Sequence, residues 1–385
     1  MTPELPDIDR LRRRRGNKWG RYRPDVLPAW VADMDFPAAR PILELLRDMV
    51  DLSDLGYPKK PPLETLYAAL ATRMEERHGW AVDPDRIEVI ADVVQGIYIA
   101  LLTLGEAGQG TWLQTPAYPP LLAAAAETDR PAVHDPLMPT ADGYALDPER
   151  MERNLPANAR FLLLCNPHNP TGRVFTRAEL ERLAEIALRR DLIILADEIH
   201  ADLVYPPQRH LPVASLAAEV AERTITFTSA TKAFNIAGLR CAFAVFSSET
   251  LQRRFNTSPR GLRGGLNAFG AEATRVAWTR CDGWLASVTA YLDDSRHWLA
   301  ETVAGKLPGI VCRIPESTYF AWIDCRELEL NEEPYEFFLR EAKVALMPGP
   351  EFGPEGAGWT RINFATSREI LGQVVARMAQ ALAAR

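Results

Sequence analysis

The sequence predicts an α/β protein with a mostly parallel central sheet, helices on both faces, and a smaller α+β domain. Three observations carry this prediction. From residue 86 onward, short apolar runs alternate with helical ones. Those runs are apolar throughout, as strands buried on both faces are. After about residue 275 the texture changes to one long helix, a strand pair and a closing helix. The expected division is 1–45 as an N-terminal arm and part of the small domain, 46–275 as the large domain, and 276–385 as the small C-terminal domain.

Residues 28–37 read as an extended, aromatic-rich segment, odd in holding two aspartates within an apolar run. A helix is expected over 41–50, then a turn at Gly56-Tyr57-Pro58. The next helix runs from Pro62 to His78, with Pro at its start and Gly79 at its stop. Leu63, Leu66, Leu70 and Met74 give it one apolar stripe. Strands are expected over 86–91, 111–114, 161–165, 192–196, 224–228 and 241–246. Helices are expected over 95–104, 119–127 and 176–190, the last opened by a Thr176/Glu179 capping box. Beyond 275 come a helix over 284–306, an antiparallel pair over 310–314 and 318–324, a strand over 360–365 and a helix over 368–384. The N-terminal forty residues are expected to pack with this second domain.

The chain has 385 residues, 47% of them hydrophobic, enough for a large core and two domains. A net charge of −7 argues against a general nucleic-acid binder. The one basic run, Arg10 to Arg23, holds eight Lys or Arg residues. Its Trp19 and Tyr22 favour docking onto protein over a nucleic-acid arm. No apolar run approaches the roughly 18 residues of a membrane span, and no signal-peptide core is evident. Five scattered cysteines without a CxxC pair read as free thiols, not metal ligands. These features describe a cytoplasmic protein with no membrane, metal or nucleic-acid partner.

The chemistry centres on residues 229–240, SATKAFNIAGLR, which follow the strand 224–228. Lys232 lies where open α/β sheets place their ligands. A dry cationic pocket would depress its pKa and free its amine to form an imine. The alternative is a surface lysine. Asp197, in Asp-Glu-Ile-His200, stands at the end of a buried strand and needs a partner. A protonated pyridine nitrogen would be one; a helix N-cap is the other reading. Asn169, in the Asn166 to Gly172 turn, can donate to a phenolic oxygen, and His200 can reach the same atom. The turn is also explained by its own Asn, Pro and Gly content. Tyr118 can stack on a flat ring or cover the core. Asp92 to Gly96 opens a helix whose free amides can take a phosphate, although Asp92 itself would repel one. Ser229 and Arg240 would hold that phosphate. Arg361, in an apolar strand, needs an anion: a substrate carboxylate or a structural partner. Together these supply what pyridoxal-phosphate chemistry requires.

With these motifs the chain resembles the fold-type I pyridoxal-phosphate enzymes of the class I/II aminotransferase family. Within that family it is most similar to the MalY/PatB subgroup of cystathionine β-lyases. WVADMDF over 30–36, DEIH over 197–200, STYFAW over 317–322, Met347-Pro348-Gly349 and Phe352-Gly353 carry the subgroup likeness. The resemblance implies that Lys232 bears pyridoxal 5'-phosphate and acts as the catalytic base. It implies that Asp197 pairs with the ring nitrogen, Asn169 and His200 serve the phenolic oxygen, and Tyr118 stacks. Ser229, Arg240 and the amides of Val93 and Val94 would take the phosphate. Arg361, with Asn169, would take the substrate carboxylate. A homodimer with a shared site is implied, Tyr57 entering from the neighbouring chain. The family usually carries a small residue where Asp92 stands, and an aromatic before the glycine that precedes Tyr57.

The implied reaction is α,β-elimination on an L-cysteine S-conjugate such as cystathionine, giving thiol, pyruvate and ammonia. The alternatives are an aminotransferase, a decarboxylating or oxidative deaminating relative, and a regulatory binding protein on the same fold.

Overall fold

The computed structural model describes residues 3–57, 61–141 and 143–385, and of residues 61–63 the backbone only. Pro58 of the expected turn and the Leu63 side chain of the expected stripe lie outside the described residues. Seven strands form the central sheet. Their order is Ile87–Ile90, Ala242–Phe246, Thr224–Thr228, Ile193–Asp197, Ala159–Cys165, Gly110–Thr115 and Ala132–Pro136. All pairings are parallel except the two made by Ala242–Phe246, which runs against both neighbours. The expected strands from 86 to 246 fall within a residue or two of those observed.

Strand geometry sends successive side chains to opposite faces. Phe161, Leu163, Ile193 and Leu195 pack on one face, with helices Val93–Leu104, Pro119–Glu127 and Glu249–Phe255. Leu162, Leu164, Ile194 and Ala196 pack on the other, with helix Arg177–Arg189. That helix carries the expected capping box from Thr176 and Glu179. Both faces being buried explains why these strands read as unbroken apolar runs. Helix Val93–Leu104 lies close on the sheet because residue 96 is glycine. A Cβ there would stand 2.4 Å from Ile90 Cδ1 and 2.7 Å from Phe227 Cε1.

A second, antiparallel sheet runs Val311–Cys312, Phe320–Asp324, Trp359–Asn363, Met347–Pro348. Helices Asp282–Lys306 and Arg368–Ala383 share a core with it. The chain near the N-terminus joins this part: Leu27–Pro28 pairs in parallel with Val344–Ala345. Of the expected extended segment, only Pro28 is in this two-residue strand. Beyond it the Ala29–Phe36 backbone is bonded mostly from outside the chain segment. Asn363 donates to the Val31 and Asp33 carbonyls at 2.6 and 2.8 Å. Asn235 donates to those of Met34 and Phe36 at 3.0 and 2.8 Å.

The basic run docks on the same segment. Lys18 is buried and pairs with Asp35 at 3.1 Å, Trp19 donates to Asp35 at 2.7 Å, and Arg14 donates to the Asp35 carbonyl at 2.9 Å. Asp35 is thus explained as the buried anchor of the arm. The cysteines are free, and four of the five are buried. Among the described residues no helix is long and apolar enough to cross a membrane.

Among the elements not read from the sequence, two bear on the sheet and its packing. Ala132–Pro136 is an edge strand, only partly buried and interrupted by His134 and Asp135, so it lacks the continuous apolar pattern of its neighbours. Helix Ala268–Arg280 buries seven residues, four of them glycine or alanine, and small residues leave little amphipathic signal.

Candidate active site

Asp197 continues the face of Ile193 and Leu195 and ends its strand, so it emerges at the carboxyl edge of the sheet. Cys165 sits beside it in register. Both line a cavity of about 400 Å³. Around it stand Tyr118, Asn169, His200 and Lys232, with Asp92, Val93, Val94 and Arg240. Eight of the eleven expected residues line this one cavity. Arg361 joins them through Asn169. Ser229 and Tyr57 lie elsewhere.

Lys232 sits in the turn after strand Thr224–Thr228. Asn235 fixes that turn: it takes a left-handed conformation, φ 56°, and clasps residues 34–36 from both its amide atoms. The Lys232 amine makes no hydrogen bond or ion pair among the described residues. Burial lowers its pKa; Asp33 opposes that, and Arg361 adds to it. Asp33 is a feature sequence reasoning noticed without assigning. Its signal was a carboxylate in an apolar run.

Asp197 is almost fully buried and accepts one bond, from the Ile199 amide at 3.1 Å. Burial raises its carboxyl to about 6, and Glu198 pushes the same way. Glu198 is itself buried, held by His210 at 3.0 Å and the Val213 amide at 3.0 Å. His200 is buried with edge-on contacts to Tyr319 and Phe320. Its Nδ1 has no partner among the described residues. Burial, with Lys232 and Arg361 nearby, drops it to about 3, so the ring is neutral. Such orphaned polar atoms are costly unless a ligand completes them.

Arg361 is buried between ring faces, 3.9 Å from the Phe320 centroid and 5.1 Å from that of Phe352. It donates to Asn169 Oδ1 at 2.8 Å and to the Trp30 carbonyl at 3.1 Å. Its Nε has no partner among the described residues, and burial lowers its pKa to about 10. Among the described residues no carboxylate bonds it, which disfavours a structural ion pair. Because the Asn169 oxygen is engaged, its NH₂ is the group left for another acceptor. The Asn169 turn is tied to the second sheet. Gly172 takes φ 71°, where an added Cβ would stand 2.4 Å from Pro315 Cβ, and its carbonyl accepts from Ser317 at 2.9 Å.

Tyr118 is half-buried at the N-terminus of helix Pro119–Glu127, and burial raises its pKa. Asp92 caps helix Val93–Leu104, accepting from the Gln95 amide at 2.7 Å, and also pairs with Arg240. Its carboxylate thus has partners in place.

Ser229 was expected at the phosphate. Here it is buried off the cavity lining: its hydroxyl donates to the Cys241 carbonyl at 2.6 Å and meets the Thr231 hydroxyl at 2.8 Å. Thr231 takes the lining position. Tyr57 is fully exposed and outside the lining of its own chain's cavity.

Comparison with known proteins agrees with this geometry. The family model for aminotransferase class I and II matches residues 39–378. Cystathionine β-lyase PatB of Bacillus subtilis is 33% identical over 93% of each chain. The cystathionine β-lyase of Corynebacterium glutamicum is 34% identical over 98% of this chain and 100% of its own. Among solved structures, cystalysin from Treponema denticola, which contains pyridoxal 5'-phosphate, superposes with a TM-score of 0.93 at 29% identity over the whole of both chains. On this match, spanning most of its length, the chain belongs to the aminotransferase class I and II family.

Proposed function

We propose that this protein is a pyridoxal-phosphate-dependent carbon–sulfur β-lyase acting on L-cysteine S-conjugates such as cystathionine. The observation that carries the reading is the cavity shared by Lys232, with its bare amine, and Asp197, with a single backbone bond. Two curated relatives named for cystathionine β-lyase activity support it.

The residues fit the cofactor. The unpartnered His200 Nδ1 and the free NH₂ of Asn169 suit a phenolic oxygen. Asp197 would ionise against a protonated ring nitrogen, and Tyr118 would stack. The Val93 and Val94 amides with Arg240 suit the phosphate; Thr231 and Ser229 supply hydroxyls beside them. Bound there, the cofactor supplies an electron sink for the pair left at Cα. Lys232, its pKa lowered by burial, takes the Cα proton and can return it to the departing thiolate. Arg361 forks the substrate carboxylate and so orients the Cα–H bond.

We read the active form as a cytoplasmic homodimer. Fully exposed Tyr57, beside exposed Leu52 and Leu55, supports an intersubunit role for that strip. The domain division 1–45, 46–275, 276–385 goes with this reading.

The test is incubation of purified protein with pyridoxal phosphate and L-cystathionine. Pyruvate and free thiol formed without added keto acid are expected. Glutamate formed only when 2-oxoglutarate is present would make the protein an aminotransferase instead.

A further inference from the structure

The phosphate end of the cavity already holds an anion. Asp92 takes the Gln95 amide with one oxygen and the Arg240 guanidinium with the other. Asp92, Val93, Val94 and Arg240 all line the cavity. A phosphate brought to the Val93 and Val94 amides therefore meets a carboxylate that already occupies Arg240, one of its expected donors. Like charges at such range repel, and Arg240 cannot fully serve both. The pair is half exposed, so it can rearrange without leaving a buried charge uncompensated.

We propose that Asp92 is a built-in competitor of the cofactor's phosphate, holding Arg240 when the phosphate is absent and weakening the grip on it when present. This rests on the pyridoxal-phosphate reading. The consequence is a holoenzyme that releases its cofactor more readily than its other donors would allow. It also gives the residue that the sequence marked as out of place a task at the anion end alone.

Asp92→Asn separates charge from structure. Asparagine caps helices about as well as aspartate, so the Gln95 bond and the helix start are kept. Only the negative charge facing Arg240 is removed. Dissociation constants of pyridoxal phosphate and of pyridoxal, which lacks the phosphate, would be measured on the full-length wild type and variant by cofactor absorbance and tryptophan fluorescence. The expected result is pyridoxal phosphate held about tenfold tighter by Asp92→Asn, for one charge in a salt-screened, half-exposed site. Pyridoxal affinity should not change. Equal or weaker binding of pyridoxal phosphate by the variant overturns the proposal and would make Asp92 a positioner of Arg240. Equal tightening of pyridoxal also overturns it, because the effect would not act on the phosphate. A wild type that binds neither compound defeats the cofactor reading, and this inference with it.

Discussion

At one end of the cavity, Lys232, Asp197 and His200 are withdrawn from water and short of partners. At the other, Asp92 and Arg240 are partly exposed and satisfy each other. The strand end supplies the first group: rigid, dry and unfinished. A helix cap and a turn supply the second: solvated and self-contained. Groups left costly by burial are those a ligand must complete, and they do not contribute to stability in its absence. Pairs exposed to water cost little to make or break. Mutations at the two ends should therefore differ in kind. The dry end should trade activity against stability, while the wet end should change affinity with little effect on the fold.

The largest effect belongs to Lys232→Ala. Removing the base and the imine-forming amine should lower turnover by about 10⁴-fold or more. Steady-state pyruvate release and the lysine-bound cofactor absorbance check this together. Turnover near the wild-type rate would remove Lys232 from the chemistry.

Asp197→Asn should lower kcat by about 10²–10³-fold, because a neutral amide cannot hold a positive ring nitrogen. The same substitution should stabilise the cofactor-free chain. The folded state keeps this carboxyl protonated up to about 6, while the unfolded chain ionises it in the usual range near 4. The folded state thus binds more protons between those values, and wild-type stability falls as pH rises through them. The loss is on the order of 2–3 kcal/mol and complete above pH 6. Asp197→Asn has no such loss, so its advantage should grow from pH 4 to pH 6 and then level. Urea melts of both proteins across that range decide it; a difference independent of pH would mean the carboxylate is better solvated than its burial implies.

Arg361→Lys keeps the charge and loses the fork. It should raise KM for the amino acid about 10–100-fold, with cofactor affinity unchanged. Unchanged KM would return Arg361 to a purely structural part between Phe320 and Phe352.

How these residues could be read from sequence follows the same division. Asp197 was legible because a carboxylate ending an unbroken apolar strand is anomalous, and the sheet's alternation gives it a face. Arg361 was legible for the same reason. The edge strand Ala132–Pro136 was not, since only Asp135 of its five residues is buried and His134 and Asp135 interrupt its apolar run. The bond of the Ser229 hydroxyl was not legible because its partner, the Cys241 carbonyl, is twelve residues away and depends on the path of the turn between them. Asp33 was visible as an oddity, but its relation to Lys232 depends on side chains from three distant segments, Lys18, Asn235 and Asn363, that shape its loop. Local pattern reports what a residue lacks; only tertiary structure reports what it meets.

The smallest effect sharpens the contrast from the wet end. Arg240→Gln removes the Asp92 ion pair and keeps a polar side chain of moderate length. The pair is exposed on both sides, so its net contribution to folding is within about 0.5 kcal/mol. Left-handed backbone at residue 240, φ 46°, is no harder for glutamine than for arginine. Urea midpoints of the cofactor-free wild type and variant should therefore coincide, at low and high salt alike. Pyridoxal phosphate affinity should meanwhile fall, opposite in sign to Asp92→Asn, because the guanidinium is the cation that a phosphate would recruit. A clear loss of stability at low salt that vanishes at high salt would show that the ion pair contributes to folding. The two ends would then differ in degree of burial, not in the use to which their charges are put.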